Sequence, residues 1–456
     1  MEIENLIRSV CKIVWSFPLI AAILGVGLYF SFKLNFVQIR FFVQAFRSII
    51  RSKLVDSQHL VGDVSKFSAL CTALSATLGT GNIVGIAVAI SMGGPGTLFW
   101  MIVSSFFSLA TKYSEGVLSI KYRTVGSDGT IAGGPMYYIE KGTRSPLLAK
   151  LFAIFGVSVA LFGIGTLAQT NSIAAAANSF GIPNYFTAIV LGIIVSFVTF
   201  GGIHRIADTA EKVVPFMTLL YIGAAIVILT LRINMIPQVV RLILTEAFLP
   251  HSIVGGGVGI SLTYVIQIGI SRGIFCHEAG LGSSAIASAA AKVNVPAEQG
   301  LISMMGAFLS IIICTITGIV LLITAEETHI FNPSCALTHM TAQAFGFGLG
   351  AFKMGGYVVN FSILFFAFTT IIGWNYYGEK CIQYLLGNKA IAMYKILFIF
   401  FVVMGPFWEI KMAFVLADIV TGLMAIPNII GLISLRKEIF YETRTLFEKS
   451  KKLLVR

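Results

Sequence analysis

The sequence predicts an all-α polytopic membrane protein of eleven transmembrane helices. One N-terminal helix precedes a core of two five-helix repeats, the second inverted relative to the first. Three observations predict it. The 456-residue chain is 57% hydrophobic and only 11% charged, with mean hydropathy +0.89, whereas a soluble domain is about 25% charged. Its apolar runs are separated by loops that alternate between rich and poor in lysine and arginine. The first run of each half is interrupted by glycine and polar residues, which a helix that merely spans does not need.

The same composition excludes other classes. A net charge of +12 could suggest nucleic acid, but the basic residues sit between apolar spans rather than on one face. The six cysteines form no C-x-x-C, and most lie in apolar runs, where cysteine behaves as a small hydrophobe. Neither a disulfide framework nor a structural metal is expected, and no organic cofactor.

The elements follow in order. The run from Ile13 to Phe30 could be mistaken for a signal peptide, yet it is long and lacks a small-x-small cleavage site. We read it as a spanning helix, which with its basic loop forms a unit over 1–66. Ten further spans are expected at about 67–91, 97–120, 150–178, 184–201 and 212–231, then 258–291, 301–324, 355–386, 391–408 and 411–435. They divide into repeats over 67–231 and 232–435, leaving a basic tail over 436–456. Lys33, Arg40, Arg47, Arg51 and Lys53 mark one side; Lys121, Arg123, Lys141, Arg144, Lys150, Arg205, Lys212, Lys292, Lys380, Lys389 and Lys395 fall on that same side, with the tail. The other side holds only Arg8, Lys12, Arg232, Arg241, Lys353 and Lys411. The positive-inside rule then places the N-terminus outside and the C-terminus in the cytoplasm, in the lipid bilayer of the cell membrane. Five helices per half force the inversion, and inverted repeats with broken helices in matching places mark many secondary transporters.

The first interruption is Leu78-Gly79-Thr80-Gly81-Asn82-Ile83. Unwound backbone offers carbonyls to a hard cation, and the half-helix that follows offers free N–H groups to a carboxylate. Thr80, Gly81 and Asn82 are placed for both; close packing of small residues is the plainer alternative. The second interruption runs from Ile268 to Gly280 and holds Arg272, His277 and Glu278. The two charges are a gate pair, vestibule groups or a static structural pair. His277 is a proton relay or a hydrogen-bonded helix-terminal histidine. Thr370 and Trp374 share a helix face and suit a small polar solute, with an interfacial tryptophan as the alternative. Gln169, Asn171 and Ser172 are polar at mid-span and reach a cavity or bond between helices. Weaker signals are the glycine run 255–259, the loop trio His329, Cys335 and His339, and the tail, which lies on anionic lipid or forms a solvated helix.

These residues resemble the alanine or glycine:cation symporter family. The resemblance is carried by Thr80-Gly81-Asn82-Ile83-Val84-Gly85, the stretch from Gly93 to Met101, Gly133 to Ile139, Arg272-Gly273-Ile274-Phe275 with Glu278-Ala279-Gly280, and Gly373-Trp374 with Tyr376 to Lys380. It implies a LeuT-like five-plus-five fold with one extra helix, and sodium- or proton-coupled carriage of alanine, glycine or a close relative. It implies a substrate site of Thr80, Gly81, Asn82, Gln169, Gly273, Phe275, Thr370 and Trp374. A coupling Na+ would take backbone oxygens near Ser75 and Leu78 with a hydroxyl of Thr369 or Thr370. The family commonly has Ser-Asn where this chain has Cys276-His277. The expected function is sodium-coupled symport by alternating access, not enzymatic catalysis. The rivals are a proton-coupled carrier, with His277 or Glu278 titrating, and an ion channel.

Overall fold

Long apolar runs give a chain that is almost entirely helical over its described residues. The computed structural model describes residues 2–51, 60–126, 129–248, 261–325, 337–348, 355–408 and 410–454. The only strands among these are a two-residue hairpin pair, Thr124–Val125 with Ile131–Ala132, paired antiparallel. Seven described stretches are long and apolar enough to cross a membrane: Ser9–Lys33, Pro146–Asn178, Gly202–Leu231, Pro296–Ile323, Gly355–Leu386, Asn388–Phe407 and Val415–Ser434.

The other four predicted spans fall on less simple helices. Asn184–Thr199 is apolar but only 16 residues long. Gly96–Lys121 spans 26 residues and carries Lys112 and Glu115, both buried. The remaining two are broken. Lys66–Thr77 starts at Ser65, whose hydroxyl accepts the Ser68 N–H at 3.0 Å, an N-cap. It stops where Gly79 turns extended, continues as a short turn over Thr80–Asn82, and resumes as Val84–Gly93. Leu262–His277 stops at Glu278, which is left-handed at φ 52°, and resumes as Ser283–Ala289 after Gly280 and Gly282, also at positive φ.

A third break was not expected. The span read as continuous over 150–178 divides into Pro146–Phe162 and Leu167–Asn178. The Gln169 side-chain amide donates to the Ile164 carbonyl at 2.9 Å, holding the interruption in place of a helical bond.

Gly96–Lys121 is the central post, packed on Pro296–Ile323, Leu262–His277 and Phe17–Lys33. The first broken helix lies against Gly202–Leu231, Gly355–Leu386 and Pro296–Ile323. On one rim, Arg123 donates to the carbonyls of Ala289, Ala291, Val61 and Val293 at 3.0, 2.7, 2.9 and 2.6 Å. The tail forms a helix, Arg436–Leu454, packed on the protein itself. Tyr113 donates to Thr443 at 2.9 Å, and Phe41 stacks on Phe447 at 4.6 Å. Residues 255–259, His329 and Cys335 lie outside the described residues, as does the side chain of His339.

Candidate functional site

Breaking a buried helix orphans backbone groups, which must find partners. At the first break the Gly79 N–H donates to Asn82 Oδ1 at 3.2 Å, and the Thr80 N–H donates to Gln169 Oε1 at 3.3 Å. Asn82 closes the turn from within and anchors it outward. Its amide nitrogen reaches Ser310 Oγ at 2.6 Å, Cys314 Sγ at 3.2 Å and the Cys276 carbonyl at 3.3 Å. The first break thus leans on the second through one side chain.

The freed carbonyls converge on Thr370. Its hydroxyl lies 3.0 Å from the Ser75 carbonyl oxygen, 3.4 Å from that of Leu78 and 2.9 Å from that of Phe366. One hydroxyl proton cannot serve three carbonyls. The surplus of oxygen lone pairs from Ser75 and Leu78 is of the kind a hard cation uses. Thr369 does not join it, for its hydroxyl donates to Phe366 at 3.0 Å and faces the Met217 sulfur at 3.7 Å.

Beside this cluster lies a cavity lined by Gly79, Thr80, Gly81 and Asn82 of the first break, Ile164, Ala168 and Gln169 of the third, Phe275 and Glu278 of the second, and Thr370. The cavity is small, about 20 Å³. That is room for about one water, so a larger solute enters only as the wall moves. Thr80 Oγ1 is buried at this wall and has no hydrogen-bond partner among the described residues. At Gly81 an added Cβ would sit 3.7 Å from the Phe275 ring.

Several expected residues stand elsewhere. Gly273 belongs to the regular helix and faces Ser104, Met101 and Ser105 of the central post, where an added Cβ would meet atoms at 3.0 to 3.2 Å. It gives close packing rather than cavity wall. Trp374 is fully buried but one turn beyond the cavity, edge-on to Tyr377 at 5.3 Å and packed against Gly165. Its indole N–H points toward Glu278 without a well-formed hydrogen bond among the described residues. Arg272 and Glu278 do not pair. Arg272 sits in regular helix, 3.6 Å from Asp418 and over the Phe275 ring at 5.7 Å. The Asp418 carbonyl accepts the Trp15 indole at 2.8 Å, and the Trp15 carbonyl accepts Gln267 at 3.1 Å. His277 Nδ1 accepts the Ala279 N–H at 3.0 Å, the arrangement of a helix-terminal histidine. Asn171 donates to the carbonyls of Gly405 and Trp408, and Ser172 to Ala168 of its own helix. Both are structural.

The sequence reading missed the groups behind the second break. Glu115 Oε1 accepts from Gly280 N–H at 2.9 Å, Gly282 N–H at 3.1 Å and Asn428 Nδ2 at 2.8 Å. Lys112 Nζ lies 3.9 Å from Glu115 Oε2 and donates to the Glu278 carbonyl at 3.1 Å. Ser283 donates to the Glu278 carboxylate at 2.6 Å, and Tyr138 closes the network through Asn428. A carboxylate thereby replaces the helical acceptors that the second break removes. The available signal was two opposite charges three apart in an apolar run.

With this geometry in view, the comparisons are specific. The model of the sodium:alanine symporter family matches residues 1–454. An uncharacterized transporter of Haemophilus influenzae is 46% identical over 453 residues, covering 99% of this chain and 98% of the relative. The sodium/alanine symporter AgcS of Methanococcus maripaludis is 42% identical over 458 residues, covering 98% of each. In three dimensions the fold is similar to that of MhsT, solved in complex with L-phenylalanine, with a TM-score of 0.55 and 12% identity over 85% of this chain and 98% of that one.

Proposed function

The chain belongs to the sodium:alanine symporter family, and from that premise we propose that it carries alanine, glycine or a similar small neutral amino acid with Na+ by alternating access. Family membership makes it a cation-coupled amino acid symporter in a membrane, not an enzyme. The chain would cross the cell membrane eleven times, with the two five-helix halves inverted, the N-terminus outside and the C-terminus in the cytoplasm.

One observation carries it: two broken helices meet at a single cavity whose edge gathers the Ser75, Leu78 and Thr370 oxygens. Na+ would bind there, drawing the two carbonyls and the hydroxyl inward. The substrate carboxylate would displace Gln169 from the Thr80 N–H and take the unpartnered Thr80 hydroxyl. Asn82 would hold the turn rigid, and Phe275 would limit the side chain. A tight pocket discriminates by about 1–3 kcal/mol per methylene, which suits alanine over leucine.

The test is uptake of labelled alanine into proteoliposomes, with glycine, serine, D-alanine and leucine as competitors. An inward sodium gradient should drive accumulation. Accumulation driven by a pH gradient without sodium would assign coupling to protons. Failure of every small neutral amino acid to enter with sodium would overturn the substrate reading.

A further inference from the structure

Sulfur as well as oxygen holds the two breaks together. Asn82 Nδ2 reaches Cys314 Sγ at 3.2 Å, and Cys276 Sγ lies 3.5 Å from the Gly81 carbonyl oxygen. The Cys276 thiol faces that of Cys314 across this turn. Neither is in a disulfide, and both are buried. Their approach is fixed by hydrogen bonds to the Cys276 carbonyl. Ser310, one turn before Cys314, donates to the Cys276 carbonyl at 2.8 Å, and this registers Pro296–Ile323 against Leu262–His277. Gly81 and Phe275, the neighbours of this pair, both line the central cavity. The thiols therefore stand one layer behind its wall, within reach of whatever the cavity admits when its wall moves.

Two facing thiols form a soft donor pair, preferred by thiophilic Lewis acids over hard cations. The oxygen cluster at Thr370 has the opposite preference, so the two sites on this break select different partners. We propose that Cys276 and Cys314 form a dithiol site that takes a trivalent arsenical, bridged between the second broken helix and Pro296–Ile323. With an aryl arsine oxide both S–H bonds break and two As–S bonds form. The arsenic-bound oxygen leaves as water with the two thiol protons, and arsenic stays trivalent. The bridge takes Cys314 Sγ from Asn82 and fixes the second broken helix to its neighbour. On the proposed transport reading, which this consequence rests on, bridging stops the cycle.

The experiment treats the purified full chain in detergent with phenylarsine oxide and reads intact mass, then maps the bridged peptides. One phenylarsenic adduct per chain should form. It should resist excess glutathione, a monothiol, and be removed by 2,3-dimercaptopropanol. The peptides holding Cys276 and Cys314 should be the ones joined. Cys276→Ser and Cys314→Ser should each lose the glutathione-resistant adduct, and Cys381→Ser should keep it. No resistant adduct in the unsubstituted chain, or a bridge mapped to other cysteines, overturns the site whether or not the variants fold. In proteoliposomes the adduct should lower uptake at least tenfold, with recovery after dimercaptopropanol. A bridged chain with unchanged uptake overturns the link to Asn82. A bridge in a protein that carries no amino acid overturns the transport reading and leaves the dithiol site standing.

Discussion

Thr370 and Asn82 illustrate how single side chains convert a helix break into a site. Thr370 contributes the hydroxyl around which three carbonyl oxygens gather. Thr370→Val keeps the shape and removes that oxygen. The concentration of Na+ giving half-maximal uptake should rise about tenfold, equivalent to about 1.4 kcal/mol, with substrate range unchanged. Asn82 works differently: it supplies an acceptor to Gly79 and a donor to the second break. Asn82→Ala should abolish coupled uptake while the protein still inserts, as read by uptake beside surface labelling of the membrane fraction. Such residues were legible because an amide or hydroxyl among apolar neighbours is costly unless used. Trp374 was less legible. It shares a helical face with Thr370, but Gly165 leaves space one turn away, and the indole fills it.

The three breaks set the scale above. Each is stabilised by a side chain from a different element: Asn82 from within its own turn, Gln169 for Ile164, and Glu115 for Gly280 and Gly282. Glycine and polar residues in an apolar run announced the first two. The third, at Gly163-Ile164-Gly165-Thr166, has a similar glycine pattern without a polar centre and lay inside a span expected to be continuous. Glu115 was hidden for another reason: its partners are more than 160 residues away in sequence, and pairing over that span depends on how the helices assemble. Removing one member of a buried charged pair costs about 3–5 kcal/mol. Glu115→Ala should therefore lower the thermal unfolding midpoint in detergent and slow uptake. Glu115→Gln, which keeps an acceptor oxygen for the two glycine N–H groups, should lose less of both.

For the whole molecule, one Na+ moving with a zwitterion in the proposed symport would transfer net charge. Each elementary charge crossing the membrane is worth about 2.3 kcal/mol per 100 mV. An inside-negative potential imposed by potassium and valinomycin should accelerate alanine uptake at fixed sodium gradient, and indifference to potential would indicate electroneutral exchange. Helical class and membrane habit were legible in composition alone. The docking of the tail was not. Its mixed basic and apolar residues fit a lipid surface or water equally well, whereas Tyr113–Thr443 and Phe41–Phe447 place it on the protein.

The Arg123 latch has a consequence for how surroundings act on the two ends of the molecule. Its acceptors are the neutral carbonyls of Val61, Ala289, Ala291 and Val293. At the other end Arg272 meets a carboxylate, Asp418, and both side chains keep some solvent contact. Attraction between full charges weakens as ionic strength rises, with a screening length of about 8 Å near 0.15 M; short charge–dipole bonds respond far less. Added salt should thus loosen the Arg272–Asp418 contact more than the Arg123 bonds. On the proposed transport cycle, the bathing electrolyte would then act on the Arg272–Asp418 contact separately from its role in supplying the coupling ion.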